Sequence, residues 1–296
     1  MNRYLPEGYD FTPSPFTYDA LNQALHKEQI LQAPVLLCDE AHDLYVELGC
    51  CRGRIPRKEA SIGIADGRTR DIAILLLVGR PVCFCVTQIC ADGTVTLSRK
   101  AAQEQALQAL LQRKPGEILP AVVTSLADFG AFCDVGCGIP ALLPLSSISV
   151  SRISHPSERL HPGQKLTTVI RAVDSDKKRI TLTHKELLGT WEENAAGFSQ
   201  GQTVTGTVRS VQDYGVFVEL TPNLSGLAEP DSTLRPGDTV SVFIKSILPE
   251  KSKIKLVILR KLDAGSPESG SFRYFQTQGR LSSWQYSRKN SELIIF

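Results

Sequence analysis

Two stretches of this chain carry one pattern: "VTSLADFGAFCDV" at 123–135 and "VRSVQDYGVFVEL" at 208–220. Each reads as an apolar strand, a short turn, an aromatic, a glycine, a small residue, a second aromatic and a second strand. The match extends downstream, where "HPGQKLTTVIRAVDSDKKRITLT" aligns with "RPGDTVSVFIKSILPEKSKIKLV". Phe129 and Phe132 lie 85 residues before Tyr214 and Phe217, and the turn glycines Gly163 and Gly237 lie 16 residues before Arg179 and Lys253. A weaker third copy comes first, in "CDEAHDLYVELG" and "VGRPVCFCVTQICADGTVTLS". A unit of about 70 residues used three times restricts the chain to an array of one small module.

Each copy reads as five short strands. In the second copy these are expected near Ile118–Leu126, Ala131–Val135, Ala141–Leu145, Lys165–Val173 and Arg179–Thr183. From second aromatic to turn glycine the three copies differ, with 34, 31 and 20 residues. Such variation belongs in a surface connection between strands three and four. The expected fold class is all-β: three tandem five-stranded OB-type Greek-key barrels joined by short helical linkers, with a small β-rich C-terminal extension. The expected division is an N-terminal arm with a helix (1–30), a first repeat (31–100), a linker helix (101–115), a second repeat (116–186), a linker (187–199), a third repeat (200–262) and a flexible linker with the extension (263–296).

Strand parity assigns the aromatic unit. Ala131, Cys133 and Val135 face inward and Phe132 and Asp134 outward; Val216, Val218 and Leu220 face inward and Phe217 and Glu219 outward. Residues three apart should point opposite ways, so Gly130 and Gly215 are expected to hold a bulge or left-handed residue that brings Phe129 and Tyr214 to the outer face. Outward rings admit two readings: packing against a neighbouring element, or a stacking platform for unpaired bases with cations following the phosphates. Candidate cations are Lys165, Arg171, Lys177, Lys178, Arg179 and Lys185 in the second copy, and Arg209, Lys245, Lys251, Lys253 and Lys255 in the third.

Composition limits the alternatives. There are 33 basic and 31 acidic residues, a net charge of +2, so a nucleic-acid surface must be a local patch. The longest apolar run, Ile72 to Val78, has seven residues against the ~20 of a membrane span. "MNRYLPEGYDFTPSPF" has no signal-peptide pattern, so a soluble cytoplasmic protein is expected. The eight cysteines include no CxxC pair; Cys83, Cys85 and Cys133 read as small buried hydrophobes, and neither disulfides nor zinc are expected. No phosphate-binding loop, HExxH or GxSxG motif is present, and the five histidines are scattered. A non-enzyme without cofactor or metal is expected.

At these residues the sequence resembles the RNA-binding repeats of the bacterial ribosomal protein S1 family, of the Gram-positive multi-repeat type. The resemblance covers about residues 30–262, including "GRIPRKEA", "LTHKELLGTWEENAAGFSQGQTVTGTVRS" and "YGVFVELTPNLSGLAE". It implies an RNA face with two aromatics on the second strand, a histidine after the third, and an aspartate and a basic residue around the last turn. By position this implies Phe129, Phe132, Asp174 and Arg179 in the second copy, with Pro144 at the histidine position. It implies Tyr214, Phe217 and Lys253 in the third, with Glu229 and Leu248 at the histidine and aspartate positions. In the first copy it implies His42 and Tyr45, with Asp43 replacing the glycine and Pro56 the histidine. The implied function is single-stranded RNA binding, on messenger RNA, in translation. The 30S ribosomal subunit is the implied partner, and the protein is expected to be a monomer. A second reading is a protein-interaction module docking on the ribosome or an RNA-processing enzyme.

The connectors complete the reading. A helix is expected near Tyr18–Leu31, packing on the first copy. In "SRKAAQEQALQALLQRKPG", Ala106, Leu107, Leu110 and Leu111 form one apolar stripe. In "TWEENAAGF", Trp191 and Phe198 are expected to pack against adjacent repeats. After "DAGSPESGS", a flexible stretch, the C-terminal "FRYFQTQGRLSSWQYSRKNSELIIF" reads as a hairpin that either completes the third copy's sheet or adds RNA contacts through Arg273, Tyr274, Trp284, Tyr286 and Arg288. The aliphatic ending favours the first of these.

Overall fold

A computed structural model describes residues 4–262, 272–287 and 291–296. The "DAGSPESGS" stretch and Arg288 lie outside the described residues. Alternating apolar and polar residues close three five-stranded barrels. The first uses β1 (Ile30–Cys38), β2 (Leu44–Glu47), β3 (Arg52–Ile55), β4 (Pro81–Ile89) and β5 (Val95–Ser98). The second uses β6 (Ile118–Ala127), β7 (Gly130–Asp134), β8 (Pro140–Pro144), β9 (Lys165–Asp174) and β10 (Arg179–Thr183). The third uses β11 (Thr203–Gln212), β12 (Gly215–Thr221), β13 (Leu224–Ala228), β14 (Thr239–Leu248) and β15 (Lys253–Lys261). In each barrel the third and fifth strands pair in parallel and the first pairs with the fourth, which closes the sheet and removes its edges. The inward parity holds: Ala131, Cys133, Val216 and Val218 are fully buried.

The arm helix α1 (Tyr18–His26) is shorter than expected. Glu28 takes a left-handed backbone conformation, and Ile30 already pairs with Cys85 in the first barrel, so the chain stops coiling and joins a sheet. In the connection of the first barrel, α2 (Ile72–Leu75) is a single helical turn. Helix α3 (Arg99–Leu111) starts at a Ser98 cap whose hydroxyl accepts from the Ala101 N–H. Its buried face is Arg99, Ala102, Gln103, Ala106 and Leu110, with Leu107 and Leu111 at the margin. The buried stripe is thus rotated from the expected one and includes polar residues, because the helix is wedged between two barrels. Cys83 and Cys85 of β4, this helix and the interior of the second barrel share one continuous core.

Buried polar groups accompany that wedge. Arg99 donates to both carboxylate oxygens of Glu7 at 2.8 Å, and the Glu7 N–H donates to Asp134 at 2.7 Å. Asp134 also accepts from the N–H groups of Gly136 and Gly138. Burial and the nearby Glu7 carboxylate push the Asp134 carboxyl up, to about 7. Asp134 is outward from its own barrel, as parity requires, yet buried beneath the N-terminal arm.

The second and third barrels are fastened by the connection of residues 145–164. Its Ser151 N–H donates to the Pro222 carbonyl, its Val150 N–H to Asn223, and Ser151 and Ser225 share a 2.8 Å hydroxyl contact. Arg159 reaches into the third barrel, where Glu219 accepts from it at 2.9 Å and from Arg209 at 2.8 Å. The linker helix α4 (Trp191–Ala195) begins with a Thr190–Glu193 capping box. It buries Trp191 in the third barrel's core, with Phe198 packed alongside, as the linker reading expected.

The C-terminal extension forms its own two-stranded sheet, β16 (Ser283–Gln285) with β17 (Leu293–Ile295), and does not complete the third barrel. The third barrel is already closed, so no edge remains to be extended. The extension instead straps the second barrel and the linker: Gly279 and Leu281 bond to Ile118 and Gly116, Phe275 to Leu187, and Tyr286 to Trp191. Tyr274 meets the buried His184, whose Nε2 lies 3.0 Å from the phenol oxygen and whose Nδ1 lies 2.8 Å from the Ile148 carbonyl.

Burial pushes the His184 imidazole down, to about 4. Its unprotonated form is favoured in the fold, so its contribution is complete above pH ~6.5 and is lost as pH falls towards 4, where it is short by about 3 kcal/mol. Asp134 acts oppositely: its raised value contributes stability at low pH that disappears as pH rises towards 7. Comparison of the parent with His184→Gln separates the histidine from this opposing effect. Between pH 7 and pH 4, the unfolding free energy of the parent should fall by about 3 kcal/mol more than that of His184→Gln. Denaturant titrations at both pH values check this, and parallel declines reject it.

Candidate nucleic-acid interface

The outer face of each barrel is built on the first hairpin. In the second barrel Ala127 pairs with Gly130, which leaves Asp128 and Phe129 as a two-residue turn. Phe129 projects from the hairpin tip, 59% exposed, and Phe132 follows on the outward face of β7. Their ring centroids are 6.0 Å apart at 89°. The third barrel repeats this: Gln212 pairs with Gly215, Tyr214 is 68% exposed, and the Tyr214–Phe217 centroids are 6.1 Å apart at 88°. The edge-to-face contact is a favoured aromatic geometry that leaves faces free.

The rings are brought together differently from the expectation. The register shift lies on the opposite strand, at Thr124 between Val123 and Ser125, and at Arg209 between Val208 and Ser210. It is the turn, not a bulge at the glycine, that frees the first aromatic from strand alternation. The glycines are required for another reason. Gly130 and Gly215 have φ of +156°, and a Cβ added there would lie 2.4 Å from the Leu143 carbonyl oxygen or 2.5 Å from that of Ala228. The neighbouring strand passes too close for any side chain.

From the second aromatic, a row of outward residues crosses each sheet. It runs Phe132–Leu142–Thr181 in the second barrel and Phe217–Leu227–Lys255 in the third. Leu142 and Leu227 were missed as site residues, whereas Lys255 is one of the candidate cations of the third copy and follows Lys253 at the same outward parity. Asp174 and Arg179 face each other across β9 and β10. Arg179 comes two residues before Thr181, displaced along the strand towards Pro140 and away from the Phe129 turn. The structure therefore joins Phe129 with Phe132 and Asp174 with Arg179 as two separate pairs. Asp174 also accepts from the Lys177 N–H at 2.9 Å, closing the β9–β10 turn. Lys253 is exposed at the start of β15, opposite Leu248.

Some expected cations are already engaged. Arg209 is held by Glu219 and Glu158, and the Lys165 ammonium sits at the Tyr9 carbonyl and over its ring. The first barrel lacks the platform. His42 sits in a five-residue loop with φ of +61°, and Asp43, in the glycine's place, pairs with Arg54 and accepts the Arg57 N–H at 2.7 Å. Arg54 is the cross-strand neighbour of Tyr45, whose hydroxyl donates to Asp39 at 3.2 Å. This face is consumed by its own ion pair. In the extension, the Tyr274 hydroxyl accepts from the Thr167 N–H and the Tyr286 hydroxyl donates to the Asn223 carbonyl, while Trp284 is nine-tenths buried, so these three rings form no exposed row like that of the barrels.

Residues 112–185 match the family model described as "S1 RNA binding domain". The small ribosomal subunit protein bS1 of Leuconostoc lactis is 36% identical over 183 residues, 56% of this chain and 42% of that protein. The bS1 homolog of Bacillus subtilis is 30% identical over 222 residues, 69% of this chain and 58% of that protein. The bS1 of Staphylococcus aureus (strain COL) is 29% identical over 265 residues, 82% of this chain and 64% of that protein. The chain thus spans 42–64% of the length of these relatives. Residues 112–185 thus match an S1 RNA binding domain, and with three closed barrels, two of them carrying the same aromatic turn, the chain is similar to the ribosomal S1 proteins.

Proposed function

We propose that this protein is a non-catalytic binder of single-stranded RNA that acts on messenger RNA in translation, at the small ribosomal subunit in the cytoplasm. The observation that carries the reading is the repeated pair of edge-to-face rings on the outer faces of the second and third barrels. Flat exposed rings stack on any base, and row residues such as Lys255 meet the backbone. Phe129, Phe132, Tyr214 and Phe217 are the stacking residues, with Arg179 and Lys253 as phosphate contacts and Asp174 shaping the turn. His42 and Tyr45 contribute little, because Asp43 and Arg54 fill that face.

Titration with a pyrimidine-rich oligoribonucleotide tests the reading. Since several cations are tied to carboxylates, the slope of log affinity against log salt should correspond to about 3–6 released counterions. A slope of zero, or one typical of a strongly basic protein, rejects it.

A second reading, a protein-docking module, is favoured by one feature of the first barrel. Ile72, Leu75, Leu76 and Val78 are exposed beside Leu36 and Leu37, and the Gly79 N–H bonds to the Val35 carbonyl, which brings the two segments together. Exposed apolar clusters of this kind mark interaction surfaces. If this surface docks on the ribosome, Leu76→Asp should release the protein from sedimenting subunits without changing oligonucleotide affinity.

A further inference from the structure

We propose that the seam between the second barrel and the C-terminal strap is an additional nucleotide subsite, taking one base and its phosphate from RNA leaving the Phe129–Phe132 face. The inference rests on the RNA-binding reading above. The seam is a groove of about 570 Å³, within the range of small-ligand sites. Leu145, Val150 and Ile153 form one wall and Trp284 and Ile294 the other, which suits an apolar base. Arg152 and Lys185 stand at the groove as cations for a phosphate; Glu292 is the carboxylate there and can accept a base amino group.

Two observations point to a ligand. Trp284 lines the groove and is nine-tenths buried, and its indole N–H has no hydrogen-bond partner among the described residues. A buried donor without an acceptor is costly, and a base carbonyl or phosphate oxygen entering the seam would satisfy it once the strap shifts enough to admit it. The groove is also continuous with the aromatic face. The Leu145 N–H donates to the Phe129 carbonyl, and Lys185 donates to the Ser146 carbonyl at 3.2 Å. At its other end Tyr286 lines a second depression with Glu250, Lys251 and Lys253, so the groove leads from the second barrel's platform towards the third barrel's last turn. The strap, which reads in sequence as an accessory hairpin, thereby builds a track between two barrels.

The test uses the full chain with oligouridylates of about 4 and about 12 nucleotides, the shorter sufficient for one barrel face. Trp284→Phe keeps an aromatic ring in the wall and removes the N–H; Arg152→Ala removes an exposed cation. Each should weaken binding of the longer oligonucleotide about three- to tenfold and leave the shorter unchanged. The chain has two tryptophans, so in Trp191→Phe all indole emission comes from Trp284, and it should change on adding the longer RNA. Unchanged affinities with unchanged emission, while Phe129→Ala still weakens binding, overturn the subsite and leave the RNA reading intact. Absence of binding by either oligonucleotide to the parent overturns both.

Discussion

Replacing Phe129 and Phe132 together by alanine should weaken binding of a pyrimidine-rich oligoribonucleotide by about 1–3 kcal/mol for each lost stack. Thermal unfolding should move far less than the several kcal/mol typical of truncating a buried phenylalanine. Phe129 stands on a turn with more than half its surface in solvent, and its removal empties no core. Phe132 is half-buried, so its share of any stability change is the larger. Tyr214→Ala with Phe217→Ala should behave alike. Val218→Ala is the control: fully buried on the inward parity, it should cost about 1–3 kcal/mol of stability and leave the affinity of the folded fraction intact. Melting and binding curves on each variant decide the matter. Early unfolding of the double-aromatic variants with normal binding by the folded fraction would make the rings structural.

Glu219→Ala should be the most destabilising single change at the junction of the second and third barrels, at about 3–5 kcal/mol. Burial alone would push this carboxyl up, but hydrogen bonds from Arg159 and Arg209 outweigh it and hold the group below the usual carboxylate range. Its contribution is therefore present above the ordinary glutamate pKa and is lost as pH falls below it. Removing the carboxylate leaves two guanidinium groups with side chains only 5% and 15% exposed and their central anion gone. Arg159→Met should cost less, because Arg209 still neutralises Glu219 and the methionine stem retains the packing. Denaturant unfolding measures both. Equal, small effects would show that the connection's backbone contacts at Pro222 and Asn223 suffice to hold the barrels together.

Much of this architecture was legible in the sequence because barrel strands are written locally. The alternation that buries Ala131, Cys133, Val216 and Val218 is a period-two signal, and the expected strands of the second copy agree with those observed to within one residue at each end. The outward rings were legible for the same reason, since one turn and one strand position determine them. The cause of the ring pair was not legible. A register shift at Thr124 leaves no mark on the residue type, whereas a glycine invites attention.

What the sequence by itself determined, then, is the module, its number of copies and which residues leave its outer face. Tertiary structure alone decided what happens to those outward residues. Asp134 and Phe132 share one parity, yet the first is buried under Glu7 from the N-terminal arm and the second faces solvent at one edge. Glu219 is outward in its own barrel and becomes the anion that locks two barrels, through an arginine 60 residues earlier. The strap's hairpin, whose ending suggests a sheet edge, finds no open edge on the closed third barrel and lies instead between the connection of residues 145–164 and the third barrel's Asn223. Parity is set by adjacent residues along one strand, whereas the cover on a face comes from elements tens of residues away, and no local pattern encodes that.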